Sequence, residues 1–200
     1  MKNFLFKPAT LLVAAVLLTA GWMTGADLLR LDVQPQSKLR VEGTSSIHAW
    51  TCDVSTFTGS IEADAAGTQP ASALEALSRA VITVPTSNLE CKNGTMNKKT
   101  LEALKASKHP TIQYSLKDAQ VQSEGSDGWT TMKATGLLKI AGVEKPVTMT
   151  VKGQKVENGF RFTGETPLLM SDFDVDPPTA MLGTLKTGDR VTIHFDVVAR

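Results

Sequence analysis

The sequence lacks an excess of charge of either sign. Its 200 residues carry 21 lysines and arginines against 20 aspartates and glutamates, which gives a formal net charge of +1. Removal of residues 1–26, which hold two lysines and no acid, would bring the net charge to about −1. A nucleic-acid-binding domain carries a strong basic excess, so that class of function is excluded.

Long apolar runs are missing beyond residue 26. A helix that spans a bilayer needs about 20 apolar residues, and no such stretch follows. At the start of the chain, Lys2 and Lys7 precede an uncharged apolar stretch over residues 9–20, and small residues follow over 24–26. This layout predicts a signal peptide over residues 1–26 and export to the periplasm. An uncleaved N-terminal membrane anchor is the alternative.

Cysteine is scarce, with only Cys52 and Cys91 in the chain. Neither a third nor a fourth metal ligand lies at zinc-site spacing from them. An exported chain meets an oxidising compartment, where an even cysteine count favours a disulfide. Closing a loop of this length is worth about 4 kcal/mol in the chain-entropy model. A disulfide is therefore predicted, with two free thiols or a metal pair as the alternatives.

Catalytic motifs are also missing. The chain has no Gly-x-Ser-x-Gly elbow, no His-Glu-x-x-His pair and no glycine loop for phosphates. His48 is a candidate catalytic base or ligand contact, but a turn histidine with local hydrogen bonds is the simpler interpretation. His194 and Asp196 lie on the polar face of one strand, and His109 precedes a proline. No catalytic residue and no cofactor is predicted.

Three aspartates alternate along one segment, at Asp172, Asp174 and Asp176. Carboxylates at this spacing are candidate calcium ligands, but the segment lacks the glycine and the distal glutamate of an EF-hand loop. A solvated loop is therefore expected, and no metal site is predicted.

Apolar and polar side chains alternate with a two-residue period after residue 38, as is typical of strands with one buried face. Eight strand candidates result, over residues 38–45, 54–62, 78–88, 111–117, 131–140, 147–152, 159–168 and 191–197. Short turns such as Asn158-Gly159 connect them, so antiparallel neighbours are expected. Eight such strands hide their apolar face by closing into a barrel, and a two-sheet sandwich hides it equally well.

One segment breaks this period. Gly94 to Ser107 is predicted to be a helix with Leu101 and Leu104 on one side, and the residue before Pro110 ends it because that position disfavours the helical region. A weaker helical stretch covers 71–77.

Five lysines give this part of the chain a local positive excess, and they are Lys92, Lys98, Lys99, Lys105 and Lys108. Docking on an anionic membrane surface is one interpretation. An ordinary solvated helix face is the alternative.

The inward faces of the strands supply the candidate ligand-binding residues. They are Ile112, Tyr114, Met132, Leu138, Ile140, Met149, Phe160, Phe162, Ile193 and Phe195. An eight-stranded barrel either fills with side chains or keeps one ligand cavity. Ala134, Gly136 and Gly164 are small inward positions that could leave room for a ligand. A fully packed core is the alternative, and the residues alone favour it slightly.

Several segments, in their order and spacing, resemble the YceI-like family. They are Gly94–Leu101, Lys108–Tyr114 with its P-x-I-x-F/Y pattern, Ala134–Val147, Asp172–Asp174 and Gly188–Ile193. The likeness covers about residues 36–198. Residues 46–52 depart from the usual opening strand of the family, and both cysteines look like a subgroup feature.

The resemblance implies an all-β fold, an extended antiparallel eight-stranded lipocalin-like barrel with one short helix, about 94–107, near one end. It implies one domain over residues 27–200, secretion to the bacterial periplasm and no catalytic residue. Members of the family bind polyisoprenoid chains, isoprenoid quinones or related long amphiphiles in the barrel.

The leading hypothesis is therefore a periplasmic binding or carrier protein for a polyisoprenoid or similar lipid, quinone-like lipids included, with peripheral membrane contact as an additional hypothesis. An enzyme that acts on a small lipid with His48 as base is a second hypothesis. A packed, ligand-free barrel that serves as an interaction module is a third. The sequence leaves the ligand and the oligomeric state open.

Overall fold

In the computed structural model, the described residues are 28–64, 74, 77–180 and 184–200. The predicted signal peptide, and most of the weak helical candidate at 71–77, lie outside them. None of the helices in the described ranges is long and apolar enough to cross a membrane.

Twelve strands form one antiparallel sheet within the described residues. In chain order they are β1 (Leu28–Asp32), β2 (Lys38–Ser45), β3 (Ala49–Val54), β4 (Thr58–Asp64), β5 (Leu77–Pro85), β6 (Leu89–Glu90), β7 (Thr111–Glu124), β8 (Trp129–Ile140), β9 (Val143–Val156), β10 (Gly159–Leu169), β11 (Thr179–Ala180) and β12 (Leu185–Ala199). Eight of them correspond to the predicted strands, and the additions are the shorter strands β1, β3, β6 and β11.

The sheet has the spatial order β1-β4-β5-β7-β8-β9-β10-β12-β2-β3-β6, with β11 paired to β12 beside this path. Its two sides meet at one end, here called the closed end. There the Asp32 N–H donates to the Arg200 carbonyl at 2.8 Å, and the Arg200 N–H donates back to the Asp32 carbonyl at 3.1 Å. The Val33 N–H donates to the Gly59 carbonyl of β4 at 2.9 Å. These bonds join β4 to the end of β12, and the predicted lipocalin-like barrel is confirmed.

Strand β8 shows why the sheet has one apolar face. Every second residue of its central part is buried, namely Thr130, Met132, Ala134, Gly136 and Leu138, while the residues between them are half-buried or exposed. A strand with this pattern turns one face to the interior and the other to solvent. The period in the sequence therefore matches the inner face of this strand.

Strand β9 is longer than the predicted 147–152. It contains Pro146, opposite Leu137 of β8. On its other side β9 pairs with β10 only from Thr150 onward. Since none of the described strands pairs with β9 at Pro146 on that side, a residue without an N–H is tolerated there.

The helix α1 (Gly94–Ala103) is shorter than the predicted 94–107. At its start the Asn93 side chain accepts a hydrogen bond from the Met96 N–H at 3.1 Å. Just past its end Lys105 adopts a left-handed conformation with a φ of 51°. A left-handed residue at this position terminates a helix, so the helix ends before the proline is reached.

The core consists of two clusters of buried apolar residues. The first lies toward the closed end and contains Leu31, Ile61, Leu74, Leu116, Met132, Ala134, Val151, Phe160, Phe162, Val197 and Ala199. The second lies toward α1 and contains Val54, Val84, Leu89, Leu104, Leu138, Ala141, Phe173 and Val175. Tyr114 and Phe57 pack against both clusters, so they mark the middle of the barrel.

Candidate ligand-binding cavity

A cavity of about 900 Å³ occupies the interior of the barrel. Its wall extends from Ile61 and Val197 in the first core cluster to Leu104 and Phe173 in the second. Ligand sites in proteins typically measure about 300–1,000 Å³ and are mainly apolar. The barrel is therefore hollow and does not have the fully packed core that the residues alone slightly favoured.

Nine of the ten candidate ligand-binding residues line this cavity. They are Ile112, Tyr114, Met132, Leu138, Ile140, Met149, Phe162, Ile193 and Phe195. Phe160 is buried at the closed end instead, opposite Ala199 of β12, with its ring centroid 6.2 Å from that of Phe162. The role of these residues in binding stays a prediction.

Two of the three small inward residues do not leave the room that the sequence suggested. A Cβ atom at Gly136 would lie 2.6 Å from the ring of Tyr114, and one at Gly164 would lie 2.6 Å from the ring of Phe195. Each glycine therefore admits an aromatic ring from the neighbouring strand. Ala134 does line the cavity. The interpretation of Gly136 and Gly164 is corrected: they make space for rings that form the wall.

Tyr114 is the single tyrosine of the chain and lies in the middle of the barrel. Its hydroxyl oxygen is buried and has no hydrogen-bond partner among the described residues. Burial raises the pKa of the phenol to about 12, because the anionic form would lose its hydration. A buried hydroxyl without a partner costs about 1–3 kcal/mol, so the wall holds an unsatisfied polar group.

Three parts of the chain surround the end of the cavity beside α1, here called the mouth. They are the β2–β3 hairpin over 45–50, the segment 92–100 with the first turns of α1, and residues 178–179 with 185–187 around β11 and β12. The Lys99 ammonium on α1 donates to the Thr179 carbonyl of β11, which fastens the helix across the mouth. Ile47, at the tip of the hairpin, is 63% exposed.

The predicted disulfide is confirmed and lies at the mouth. Cys52 of β3 is bonded to Cys91, three residues before α1, and both are buried and line the cavity. The Cys91 N–H also donates to Asn97 Oδ1 at 2.7 Å. A covalent bond and a helix side chain thus hold α1 against the barrel.

His48 lines the mouth, and its contacts are local. Its Nδ1 lies 2.8 Å from the Ala49 carbonyl oxygen, and its backbone N–H donates to Ser45 Oγ at 3.3 Å. These contacts match the turn-histidine interpretation. The other two histidines are not part of the cavity wall. His194 lies 3.3 Å from a Glu42 carboxylate oxygen on the outer face.

Metal-binding groups are not found in the part of the chain that the structure describes: no cluster of three or more histidines, cysteines, aspartates or glutamates could hold an ion there. Asp172, Asp174 and Asp176 are exposed and alternate with the buried Phe173 and Val175. The segment turns its apolar side chains inward and leaves its carboxylates in solvent.

Sequence reasoning missed part of the cavity wall. Leu39 and Val41 of β2 and Val84 of β5 line the cavity and were detectable as alternate apolar residues of predicted strands. Phe173 and Val175 also line it. They lie in and just after a short 3-10 helix, in a segment that was expected to be a solvated loop.

The fold and the cavity together define a hollow antiparallel β-barrel with an apolar interior, closed at one end by backbone hydrogen bonds. Residues 31–199, most of the chain, match the model of the YceI-like domain. The protein therefore belongs to the YceI-like family, as the sequence motifs predict. No curated protein matches the chain.

Solved structures share this fold. BcnA of Burkholderia cenocepacia is similar with a TM-score of 0.67 and 19% identity, over 84% of this chain and 99% of that chain. A polyisoprenoid-binding domain from Saccharophagus degradans, implicated in plant cell wall breakdown, has a TM-score of 0.64 and 10% identity, over 86% and 98%. The YCEI protein of Campylobacter jejuni has 0.57 and 18%, over 74% and 82%. At these identities the likeness shows the fold alone.

Proposed function

We propose that this protein is a periplasmic carrier that holds a polyisoprenoid or similar long-chain amphiphile, quinone-like lipids included, inside the barrel. The observation that carries the proposal is the apolar cavity of about 900 Å³. Membership of the YceI-like family supports it, as does the structural likeness to the polyisoprenoid-binding domain from Saccharophagus degradans. The periplasmic location rests on the signal-peptide layout of residues 1–26.

An apolar chain needs no specific polar partner to bind in such a cavity. Each buried methylene contributes about 0.8 kcal/mol. Ten methylenes then contribute about 8 kcal/mol, which corresponds to a dissociation constant of about 1 μM before the cost of ordering the chain is subtracted. A long isoprenoid has enough carbon atoms to offset that cost.

The proposed role is binding without chemical turnover. The one imidazole on the described part of the cavity wall belongs to His48, and its hydrogen-bond contacts are with the backbone and Ser45 of its own hairpin. A protein that only carries its ligand returns it unchanged, so a lipid added to the purified protein should be recovered with the same mass.

A carrier exchanges its lipid with a membrane, and we place that contact at the mouth. The side chains of Lys92 and Lys98 are 81% and 79% exposed there. Lysines near an anionic lipid surface contribute about 1 kcal/mol each. Lys98→Glu with Lys99→Glu should weaken binding to phosphatidylglycerol vesicles at low salt, and unchanged binding would contradict the contact.

The direct test of carriage is organic extraction of the purified protein followed by mass spectrometry. Met149→Trp places an indole in the cavity, whereas Thr150→Trp places the same group on the exposed outer face of β9. We expect lipid from the wild type and from Thr150→Trp and much less from Met149→Trp. A wild-type protein that yields no lipid, and takes up no added isoprenoid quinone, would overturn the proposal.

A further inference from the structure

In the part of the chain that the structure describes, the cavity wall carries charged side chains at one end, and they are cationic. Apart from the phenol of Tyr114, the ionisable side chains of this described wall are Lys92, Lys99, Lys186 and His48, all at the mouth. No aspartate or glutamate in the described ranges lines the cavity, although the chain has 20 acids against 21 bases. An apolar wall with a cationic opening complements a ligand with an apolar chain and an anionic end.

Two of these lysines keep donors for a ligand. The Lys99 ammonium has three N–H donors, and the Thr179 carbonyl takes one of them. Lys92 lies 3.9 Å from the carboxylate of Asp53. That carboxylate already accepts a hydrogen bond from Arg40 Nε at 2.8 Å. Its negative charge is therefore shared between Arg40 and Lys92, and it does not fully neutralise Lys92.

The third lysine, Lys186, is held at the mouth by hydrogen bonds of its backbone. The Lys186 N–H donates to Ser46 Oγ at 3.2 Å, and its carbonyl accepts from the Ser46 N–H at 2.9 Å. These bonds tie the start of β12 to the β2–β3 hairpin, and the Lys186 side chain is exposed. Cations from both sides of the mouth, on β12 and around α1, therefore border the same cavity.

The N-terminus of α1 adds to the positive potential at the mouth. Asn93, Thr95 and Met96 line the cavity, so the first turn of this ten-residue helix borders it. The helix dipole places partial positive charge at that end, and the first N–H groups lack partners within the helix. Helix N-termini of this kind commonly bind anions.

We propose that the mouth is an anion site and that the carried lipid has an anionic headgroup, a phosphate or a carboxylate, held by Lys92, Lys99 and Lys186. This inference rests on the proposed carrier function and adds the headgroup class and the orientation of the ligand, tail toward the closed end. A charged headgroup in the apolar interior would bear a large desolvation cost. At the mouth it keeps charged partners, and the chain still fills the barrel.

Farnesyl phosphate and farnesol test this site because they share one isoprenoid chain and differ in the headgroup. In titration calorimetry of the wild-type chain at low salt, farnesyl phosphate should bind about tenfold more tightly or better, since a charge-assisted hydrogen bond is worth at least that factor. The triple variant Lys92→Gln, Lys99→Gln, Lys186→Gln should lose this advantage and bind farnesol within about twofold of the wild type.

The matched control removes three lysines from the outer face of the barrel. Lys133→Gln, Lys139→Gln and Lys152→Gln, at exposed positions of β8 and β9, change the net charge by the same amount. This variant should bind both probes as the wild type does. An equal loss of farnesyl phosphate affinity in the control would show a general charge effect and overturn the site.

The remaining outcomes separate this inference from the carrier function. Equal affinity of the wild type for the two probes would overturn the anion site alone, and failure of both probes to bind would overturn both proposals. If inorganic phosphate binds as tightly as farnesyl phosphate, the isoprenoid chain of the probe contributes nothing to the affinity. A triple variant that keeps farnesyl phosphate affinity but loses phosphatidylglycerol vesicles would assign the lysines to a membrane surface instead.

Discussion

The ring of Tyr114 lies directly over Gly136, in the neighbouring strand of the barrel wall. A Cβ atom at residue 136 would come within 2.6 Å of the ring carbons Cε2 and Cζ and of the Ser115 carbonyl oxygen. A side chain at residue 136 therefore fits only if the ring and the backbone both move. The position of the single tyrosine depends on this glycine.

Gly136→Ala should lower the free energy of unfolding by about 1–3 kcal/mol, because an added carbon in a packed core forces side chains and backbone apart. Urea denaturation measures this change. Gly94→Ala is the matched control, since no atom of the described residues lies within 4 Å of a Cβ atom there. Alanine also favours a helix over glycine, so this variant should be at least as stable as the wild type. A Gly136→Ala protein of wild-type stability would show that the ring moves freely.

Tyr114→Phe should raise the free energy of unfolding by about 1 kcal/mol. The substitution removes a buried hydroxyl that has no partner among the described residues, and it keeps the ring over Gly136. Tyr114→Leu, which also removes the ring, should be less stable than Tyr114→Phe because it leaves a cavity. A loss of stability in Tyr114→Phe would mean that the hydroxyl is hydrogen-bonded in the native state.

The same phenol should weaken the fold at alkaline pH. Its pKa in the folded chain is raised from 10.0 to about 12, so the unfolded chain releases this proton first. The protonated phenol therefore contributes to the free energy of unfolding in full below about pH 10, and this contribution is lost as the pH rises through about 12. Tyr114→Phe should lack this part of the alkaline loss. Phenolate absorbance of the native wild type, which reports this tyrosine alone, should rise near pH 12.

An ion pair on the outer face should make the free energy of unfolding depend on pH in the acidic range. Arg161 of β10 donates to Asp196 of β12 through Nε at 2.7 Å and Nη2 at 2.5 Å. The hydrogen bond from Arg161 holds the pKa of Asp196 below its ordinary value. The stability from this pair is therefore present above about pH 4, the unfolded value, and is lost as the pH falls through the folded value.

Asp196→Asn should consequently flatten the loss of stability below about pH 4 and cost about 0.5–1 kcal/mol at neutral pH, because the pair is partly exposed. Urea denaturation at a series of pH values checks both. Asp172→Asn, at an exposed aspartate, is the control and should follow the wild type. Superimposable acid profiles for Asp196→Asn and the wild type would contradict the assignment.

Loss of the disulfide should loosen the mouth more than the closed end. Cys52→Ala with Cys91→Ala should lower the free energy of unfolding by about 2–4 kcal/mol. Hydrogen exchange should speed up in α1 and stay nearly unchanged in the bonds between Asp32 and Arg200. The wild type under reducing conditions should reproduce both effects, and uniform acceleration over the whole barrel would contradict the local role.

The sequence predicted the strands well because each long strand has one face toward the interior and one toward solvent. That period cannot distinguish a barrel from a sandwich. The difference depends on contacts such as Asp32 with Arg200 and Val33 with Gly59, between residues that have no pattern of their own. The family resemblance, rather than the alternation, was what predicted closure.

The site was predictable where regular strands supply the wall, as at Met132 and Leu138. It was not predictable where the position of a neighbouring side chain determines which space is filled. The small residue Gly164 suggested free space in the barrel, but the Phe195 ring occupies that space. Phe160 follows the alternation of the lining residues but lies beyond the cavity.

The mouth was only partly predictable from the sequence. Lys92, Lys186 and His48 are distant in the chain and come together only when β12, the β2–β3 hairpin and the segment before α1 are assembled. The excess of lysine around α1 was visible, but the absence of carboxylates from the described cavity wall was not, because it is a property of the folded arrangement.

The closed end is made by contacts between distant parts of the chain: Val33 pairs with Ala199, and Ser37 bonds to Val198, 161 positions away. Closing so long a loop is entropically costly, and non-local contacts slow folding. The cavity is therefore complete only when the whole barrel has folded. A ligand that needs the complete cavity binds the native state alone, so its concentration sets how far unfolding is suppressed. The protein with a bound ligand should be more heat-resistant than the protein without one.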